Sequence, residues 1–481
     1  MRKEIFNFIQ KFTNEIKEEN AAIFAGAGFS APVGYVNWSE LLEPLADEIG
    51  IDISKESDLV SLAQYYKNEK GNRTEISTRI MEEFSKKPST DENHKIVSRL
   101  PITTYWTTNY DTLIEDSLRE CGKVADVKYT VNQLAITKPK RDAVVYKMHG
   151  DINHPSDTVI LKEDYELYST KYAPFITALS GDLVAKTFLF VGLSFSDPNL
   201  DYILSRVRVS YGENQRTHYS FIKKINRSEC DSDADYEYFC RKQELFSNDL
   251  KRYNIQVLVI DDYSEITEIL SSIEQNINKN NIFISGSAYE YSPWGEENAK
   301  NFISELSKRL LTTGNKIISG FGLGVGSYVI SGALEEIYMH QKSITSEKLV
   351  LRPFPQSTVG EMSIKELWHR YRQDMISLAG ISIFIFGNKL DDGNKIIEAN
   401  GMYSEFEIAV QNSNIIVPVG ATGYMAKKIW DEINIKFDLF YPNSTEKLRG
   451  FFSRLNDNQD YKELINNIVM FINEAKKCFR I

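Results

Sequence analysis

Two doubly wound α/β domains in tandem are what this sequence predicts, on three observations. Short apolar runs of strand length alternate with stretches whose apolar residues recur three and four apart. That is the pattern of parallel strands joined by helices. The runs end in glycine-rich or polar clusters, where open α/β sheets hold their ligands. The alternation breaks at an Asn-rich stretch, 276–281, and then resumes. At 481 residues the chain is too long for one ordinary core. The expected organisation is a first domain over 1–275, a linker at 276–281 and a second domain over 282–481.

In the first domain the periodicity predicts a helix over 5–19 and a strand over 21–25. The strand breaks into Gly26-Ala27-Gly28, and a helix can start near Ser30. Helices follow over 38–49, 58–68, 73–84 and 92–100. A strand over 103–107 ends in Thr108-Asn109-Tyr110-Asp111, and a helix spans 112–119. The strand 144–148 ends in His149-Gly150-Asp151, and 165–179 reads as a helix. A continuous apolar strand, 187–192, runs into Gly192-Leu193-Ser194-Phe195-Ser196-Asp197-Pro198. The next helix, 199–211, is capped by Asp197 with Pro198 in its first turn. Strands at 218–222 and 256–260 flank a charged helix near 236–251, and a helix over 265–279 ends the domain.

The second domain repeats the architecture without an alignable sequence repeat. Strands are expected at 282–285, 316–319, 348–352, 381–386 and 415–419. Helices are expected at 294–311, 327–340, 364–378, 403–412, 424–433 and 464–477. The strand ends carry Gly286-Ser287, Gly320-Phe321-Gly322-Leu323-Gly324-Val325-Gly326, Gly387-Asn388-Lys389 and Gly420-Ala421-Thr422-Gly423.

Composition narrows the function. A net charge of −11 supplies no overall basic field, so a nucleic-acid partner is not expected. Cys121, Cys230, Cys240 and Cys478 are scattered without a C-x-x-C pair, which argues against a zinc ribbon and suits a reducing cytosol. The first nineteen residues are mixed charged and apolar, unlike a signal peptide. No apolar run reaches about 18 residues, so no membrane span is expected.

The first glycine turn is the residue-level signal for a nucleotide. Gly26-x-Gly28-x-x-Ala31 fits the Rossmann-like dinucleotide fingerprint with Ala in third place. Such glycines let the backbone approach a pyrophosphate, and the helix start faces its charge. A tight strand-to-helix turn reads the same way. Ala25, Ala27 and Ser30 belong to that candidate cradle. At the next strand ends His149 is a candidate to take a proton or hold a ribose hydroxyl near neutral pH. Asn109 offers an amide to orient a water or a ribose hydroxyl, or it closes an Asx turn. Asp111 anchors its turn. Ser194 either caps or touches a cofactor, and Asp197 is mainly a cap.

In the second domain several glycine turns at successive strand ends suggest an anion cradle. Arg352, Arg372 and Lys389 are candidates to pair with phosphate. Arg372 fits a solvated helix face equally well. Glu405 either accepts from ribose hydroxyls or sits as a first-turn charge favoured by the helix dipole.

In order and spacing the four clusters Gly26-Ala27-Gly28-Phe29-Ser30, Thr108-Asn109-Tyr110-Asp111, His149-Gly150 and Gly192-Leu193-Ser194 resemble the sirtuin fold family. The resemblance covers roughly the first 275 residues. It implies NAD bound across the glycine turn, with Ala25, Thr108, Asp111, Gly192 and Ser194 lining the site. It also implies the nicotinamide ribose near Asn109 and His149, and cleavage of the nicotinamide–ribose bond. The four-cysteine zinc module and the peptide-binding strand of the deacylases are missing, and Thr108 replaces the family's usual Gln. Water is then the expected acceptor and no metal is implied. The second domain, over 282–481, resembles the SLOG family of nucleotide-ligand sensors. That resemblance assigns Gly286, Ser287, Gly322, Gly324, Arg372, Asn388, Lys389 and Glu405 to a signal.

The tandem is similar as a whole to the effectors of the Thoeris anti-phage defence systems. The similarity implies a cytoplasmic bacterial NAD glycohydrolase held inactive as a homo-oligomer, expected as a tetramer. A partner TIR-domain enzyme would make a cyclic ADP-ribose isomer that opens the site, and NAD depletion would follow. A non-catalytic nucleotide-sensing assembly protein is the alternative from another class. A residual deacylase or ADP-ribosyltransferase is the third.

Overall fold

The computed structural model describes residues 2–56, 58–86, 88–339, 348–355, 362–391, 393–457 and 460–478. The chain forms two compact units, Met1–Glu274 and Gln275–Ile481.

The first unit holds a seven-stranded sheet. Its strands are β1 (Ala21–Ala25), β2 (Thr104–Thr107), β3 (Ala125–Lys128), β4 (Ala143–Lys147), β5 (Thr187–Val191), β6 (His218–Lys223) and β7 (Ile255–Ile260). Their order is β3-β4-β2-β1-β5-β6-β7, and every pair is parallel. The central strands are unbroken apolar runs because helices cover both faces, and β1 and β5 are buried at every position. Register pairs Ala25 with Thr107 and Val191, and Thr107 with Lys147. Gly26, Thr108, Met148 and Gly192 therefore leave four adjacent strands at one level. The strand order reverses between β1 and β5, the crevice where such sheets bind ligands.

The second unit has a five-stranded parallel sheet of β8 (Asn281–Ser287), β9 (Lys316–Ser319), β10 (Leu349–Leu351), β11 (Ile381–Phe386) and, beyond a small hairpin, β14 (Ile415–Pro418). Its order is β10-β9-β8-β11-β14, so the reversal lies between β8 and β11. The hairpin pairs β12 (Asn388–Leu390) with β13 (Ile396–Glu398) directly after β11.

Several expectations are corrected. The helix expected from near Ser30 is a single turn, Ala27–Ser30, followed by a 3-10 turn, Ala31–Val33. Pro32 lacks the N–H that would extend it. One expected helix over 165–179 is two, Lys162–Lys171 and Ala173–Ala185. Pro174 cannot donate to the carbonyl four residues back, so the helix breaks at Tyr172. Strand β3 has no apolar signature, because Asp126 and Lys128 are buried as a pair 2.8 Å apart. The β12–β13 hairpin and the helix Glu446–Arg454 were not expected either. The Asn-rich 276–281 stretch is mostly regular: Ser264–Asn278 is helical and β8 begins at Asn281. The predicted end of the 327–340 helix, His340, lies outside the described residues.

Candidate functional site

The first rim interlocks at the crevice. The Gly26 N–H donates to the Val191 carbonyl and the Gly28 N–H to the Gly192 carbonyl, both at 2.9 Å. A Cβ on Gly26 would stand 2.5 Å from Gly192 O, and one on Gly192 would stand 2.1 Å from Phe29 N. Gly192 also has φ +66°, which favours glycine. The glycine faces that the sequence reading opens to a pyrophosphate are thus filled in this conformation by the 192–193 loop.

Asn109 reaches this turn from the end of β2. Its Nδ2 donates to Gly26 O and to Ser30 Oγ, each at 3.0 Å. Ser30 Oγ donates in turn to Asp111 Oδ2 at 2.8 Å. Asp111 Oδ1 accepts from Leu113 N–H at 3.0 Å, so it does anchor the following helix. Ala25 is buried, Ala27 and Thr108 are half-buried, and Ser194 is exposed with its Oγ 2.6 Å from Ser196 Oγ.

His149, at the end of β4, is 2% exposed. Its Nε2 lies 3.1 Å from Asp197 Oδ2, close enough for an ion pair but not aligned as a hydrogen bond. Its Nδ1 is buried with no hydrogen-bond partner among the described residues. Burial pushes the Asp197 carboxyl up. The facing His149, the Leu200 N–H and the Tyr165 hydroxyl outweigh it, and the carboxyl ends below its ordinary range.

Beneath both groups lies Lys147, with a fully buried side chain. Its ammonium donates to the carbonyls of Tyr110 (3.0 Å) and Asp111 (2.6 Å), to Glu115 Oε1 (3.1 Å) and to Asp151 Oδ2. One cation therefore ties the turn after β2 to the turn after β4. The sequence reading gave no role to Lys147, Glu115 or Asp151, and it gave Asp197 mainly a capping role. Lys147 is a charge inside an otherwise apolar strand, Ala143–Lys147. That anomaly was the available signal, since such a charge needs a buried partner.

The second rim has the same interlocked construction. A Cβ on Gly322 would stand 1.9 Å from Gly286 O, and one on Gly324 would stand 1.9 Å from Ala288 O. Glu405 Oε2 accepts from Ser285 Oγ at 2.6 Å, and Glu405 Oε1 lies 3.4 Å from Arg372 Nε. The Arg372 guanidinium also sits 5.0 Å from the Phe354 ring centroid, so Arg372 is not on a solvated face. Burial pushes the Glu405 carboxyl up, against Ser285 and Arg372. Asn388 clamps the neighbouring loop: its Oδ1 accepts from the N–H groups of Tyr289 (2.8 Å) and Glu290 (3.1 Å), and its Nδ2 donates to Glu290 O (2.9 Å). Ser287 Oγ donates to Asn388 O at 3.1 Å. Lys389 is exposed. Among the described residues no three His, Cys, Asp or Glu side chains group to hold a metal, and no helix is long and apolar enough to cross a membrane.

Fold and rims together define a tandem of two Rossmann-like α/β domains. Family models agree: a SIR2-like domain matches residues 103–258, and the Sir2- and TIR-associating SLOG family matches residues 265–475. Over 467 residues, 97% of each chain, the sequence is 58% identical to the NAD(+) hydrolase ThsA of Bacillus cereus (strain MSX-D12). It is 47% identical to the ThsA of Acinetobacter baumannii (strain 532279), over 94% of this chain and 95% of that one. It is 45% identical to that of Enterococcus faecium, over 98% of both. The chain belongs to the ThsA family.

Proposed function

We propose that this chain is an NAD hydrolase whose first domain cleaves the nicotinamide–ribose bond and whose second domain senses a nucleotide signal. The observation that carries this reading is the placement of Asn109, His149 and the Gly26 turn at the carboxyl ends of β2, β4 and β1, three neighbouring parallel strands. The names of the relatives support the substrate.

Nicotinamide in NAD is a cationic leaving group, so the protein need not protonate it. The C1′–N bond breaks with its electron pair going to the nicotinamide nitrogen. Water oxygen bonds to the oxocarbenium-like C1′, as in glycoside cleavage, and the water proton passes to His149. Nicotinamide, ADP-ribose and one proton result. The role of Asn109 is to hold the ribose or the water in line. That requires its amide to leave Gly26 O and Ser30 Oγ.

In the second domain Arg372 and Lys389 supply charge for phosphate, and Glu405 accepts from ribose hydroxyls. The signal is a cyclic ADP-ribose isomer made by a TIR-domain partner. It must prefer the open state of a homo-oligomer, expected as a tetramer, since equal affinity for both states shifts nothing. The consequence in the bacterial cytoplasm is NAD depletion during phage infection.

The test is to incubate the purified full chain with NAD, with and without a cyclic ADP-ribose isomer, and to follow nicotinamide release. Release that rises with the isomer is expected. No release in either condition overturns the hydrolase reading in favour of a non-catalytic sensor.

A further inference from the structure

We propose that Asp197 is the positioning residue for His149: it fixes the imidazole with Nε2 protonated and so reserves the Nδ1 lone pair for the reacting proton. The proposal rests on the first-domain hydrolase reading above.

The carboxylate does more than a cap requires. Asp197 Oδ1 accepts the Leu200 N–H at 2.8 Å, with Pro198 next in the chain, and that alone starts the helix Pro198–Tyr211. Asn or Ser would serve there as well. Oδ2 is turned away from the helix, 3.1 Å from His149 Nε2 and 3.1 Å from the Tyr165 hydroxyl, which donates to it. One oxygen is thus anchored on backbone while the other is aimed at the ring.

The ring is held on its other sides too. Tyr165 meets it edge to face at 5.7 Å, and the Val159 N–H fixes the His149 carbonyl at 2.9 Å. A neutral imidazole has one donor and one acceptor nitrogen, and the partner of one sets the role of the other. With a carboxylate at Nε2, the acceptor is Nδ1. That atom is buried and has no hydrogen-bond partner among the described residues. In the reaction it takes the water proton as oxygen bonds to C1′ and nicotinamide leaves, and the imidazolium that forms faces the Asp197 charge. The Nε2–Asp197 approach is loosely aligned here, as catalytic contacts often are before substrate binds.

Asp197→Asn keeps an oxygen for the Leu200 cap and removes the charge. An amide N–H facing Nε2 makes Nε2 the acceptor and moves the ring proton to Nδ1. The expected result is a kcat about 10² to 10⁴ lower at unchanged KM and melting temperature. Asp197→Glu should recover part of the loss. In full-length protein labelled with ¹⁵N-histidine, the His149 ring signals, assigned by their loss in His149→Ala, should report Nε2–H in the wild type and Nδ1–H in Asp197→Asn. Wild-type kcat and unchanged ring signals in Asp197→Asn, with His149→Ala inactive, would overturn the proposal and leave the hydrolase reading intact. Wild-type turnover in His149→Ala would remove that reading, and the proposal with it.

Discussion

At the first rim a lysine, a histidine and the carboxylates of Asp111, Glu115 and Asp151 are buried together. At the second, the buried Glu405 carboxylate meets Arg372, the half-buried Glu290 carboxylate accepts from the Tyr424 hydroxyl, and amide, hydroxyl and backbone groups make further contacts. Yet both rims are assembled alike. Each has a glycine loop pressed on the end of a neighbouring strand. Gly26 and Gly28 after β1 meet Gly192 after β5, across the strand-order reversal, while Gly322 and Gly324 after β9 meet Gly286 and Ala288 at the end of β8, beside it. Glycine turns thus specify how closely two loops approach and leave the chemistry open. The proposed division of labour lies in the side chains that follow. A buried imidazole with a carboxylate partner is equipped to move a proton. A carboxylate–arginine pair is equipped to exchange one anion for another.

The strongest way to break this comparison is to remove the proton acceptor. His149→Ala and Asn109→Ala should each lower nicotinamide release about 10³-fold or more, while calorimetric binding of the cyclic isomer stays within about twofold of wild type. Turnover retained in both variants would leave the first rim without the chemistry assigned to it.

Next in size is the cation beneath the site. Lys147→Met leaves Glu115 and Asp151 facing each other without their ammonium, and losing one partner of a buried pair costs about 3–5 kcal/mol. The unfolding transition of the first unit should move to lower denaturant and that of the second should stay. A first transition that does not move would mean that the two turns are held together without Lys147.

The sequence was most informative where one rule governed the residue. Apart from β3, the strands of both sheets and the Asp197 cap were legible because apolar runs and the Asp-Pro start each have one cause. The rim was legible because parallel strands send their ends the same way. Long-range polar partnership was not. Nothing local to Ala125–Lys128 says that Asp126 and Lys128 neutralise each other inside a strand. Nothing near residue 197 says that its second oxygen meets a histidine 48 positions earlier. Such pairs exist only once the fold has brought distant segments together, and those are the contacts on which the chemistry depends.

Acid should sharpen the contrast between the units. His218 is buried in β6, and its Nδ1 accepts the Phe188 N–H at 3.1 Å, so the neutral ring is the one the fold holds. Burial, with Arg216 adding, pushes it down to about 4. A depressed histidine stabilises the fold fully above its ordinary 6.5, and the contribution is lost as pH falls toward 4. The gap corresponds to about 3 kcal/mol. Glu405 in the second unit is shifted the other way. A raised carboxyl takes its proton more readily folded than unfolded, so its contribution is present in acid and lost as pH rises. Denaturant unfolding at pH 7 and at pH 4.5 should show the first transition weakening more than the second. Equal weakening of both would count against the assignment.

The smallest expected effect bears on the second rim. Arg372 is braced by Glu405 and by the Phe354 ring. The pair is loose at 3.4 Å, and a phosphate offering two oxygens to the guanidinium fork can displace it. Truncation to Ala removes that fork, so affinity for the cyclic isomer should fall about 10- to 100-fold by calorimetry, or roughly 1.4–2.8 kcal/mol. Lys at the same place keeps the charge without the fork and should fall between the two. Turnover of NAD in the absence of signal should be unchanged in both variants. Unchanged affinity in Arg372→Ala would mean that the Arg372–Glu405 pair only packs the unit, and the phosphate would then have to be sought nearer the exposed Lys389.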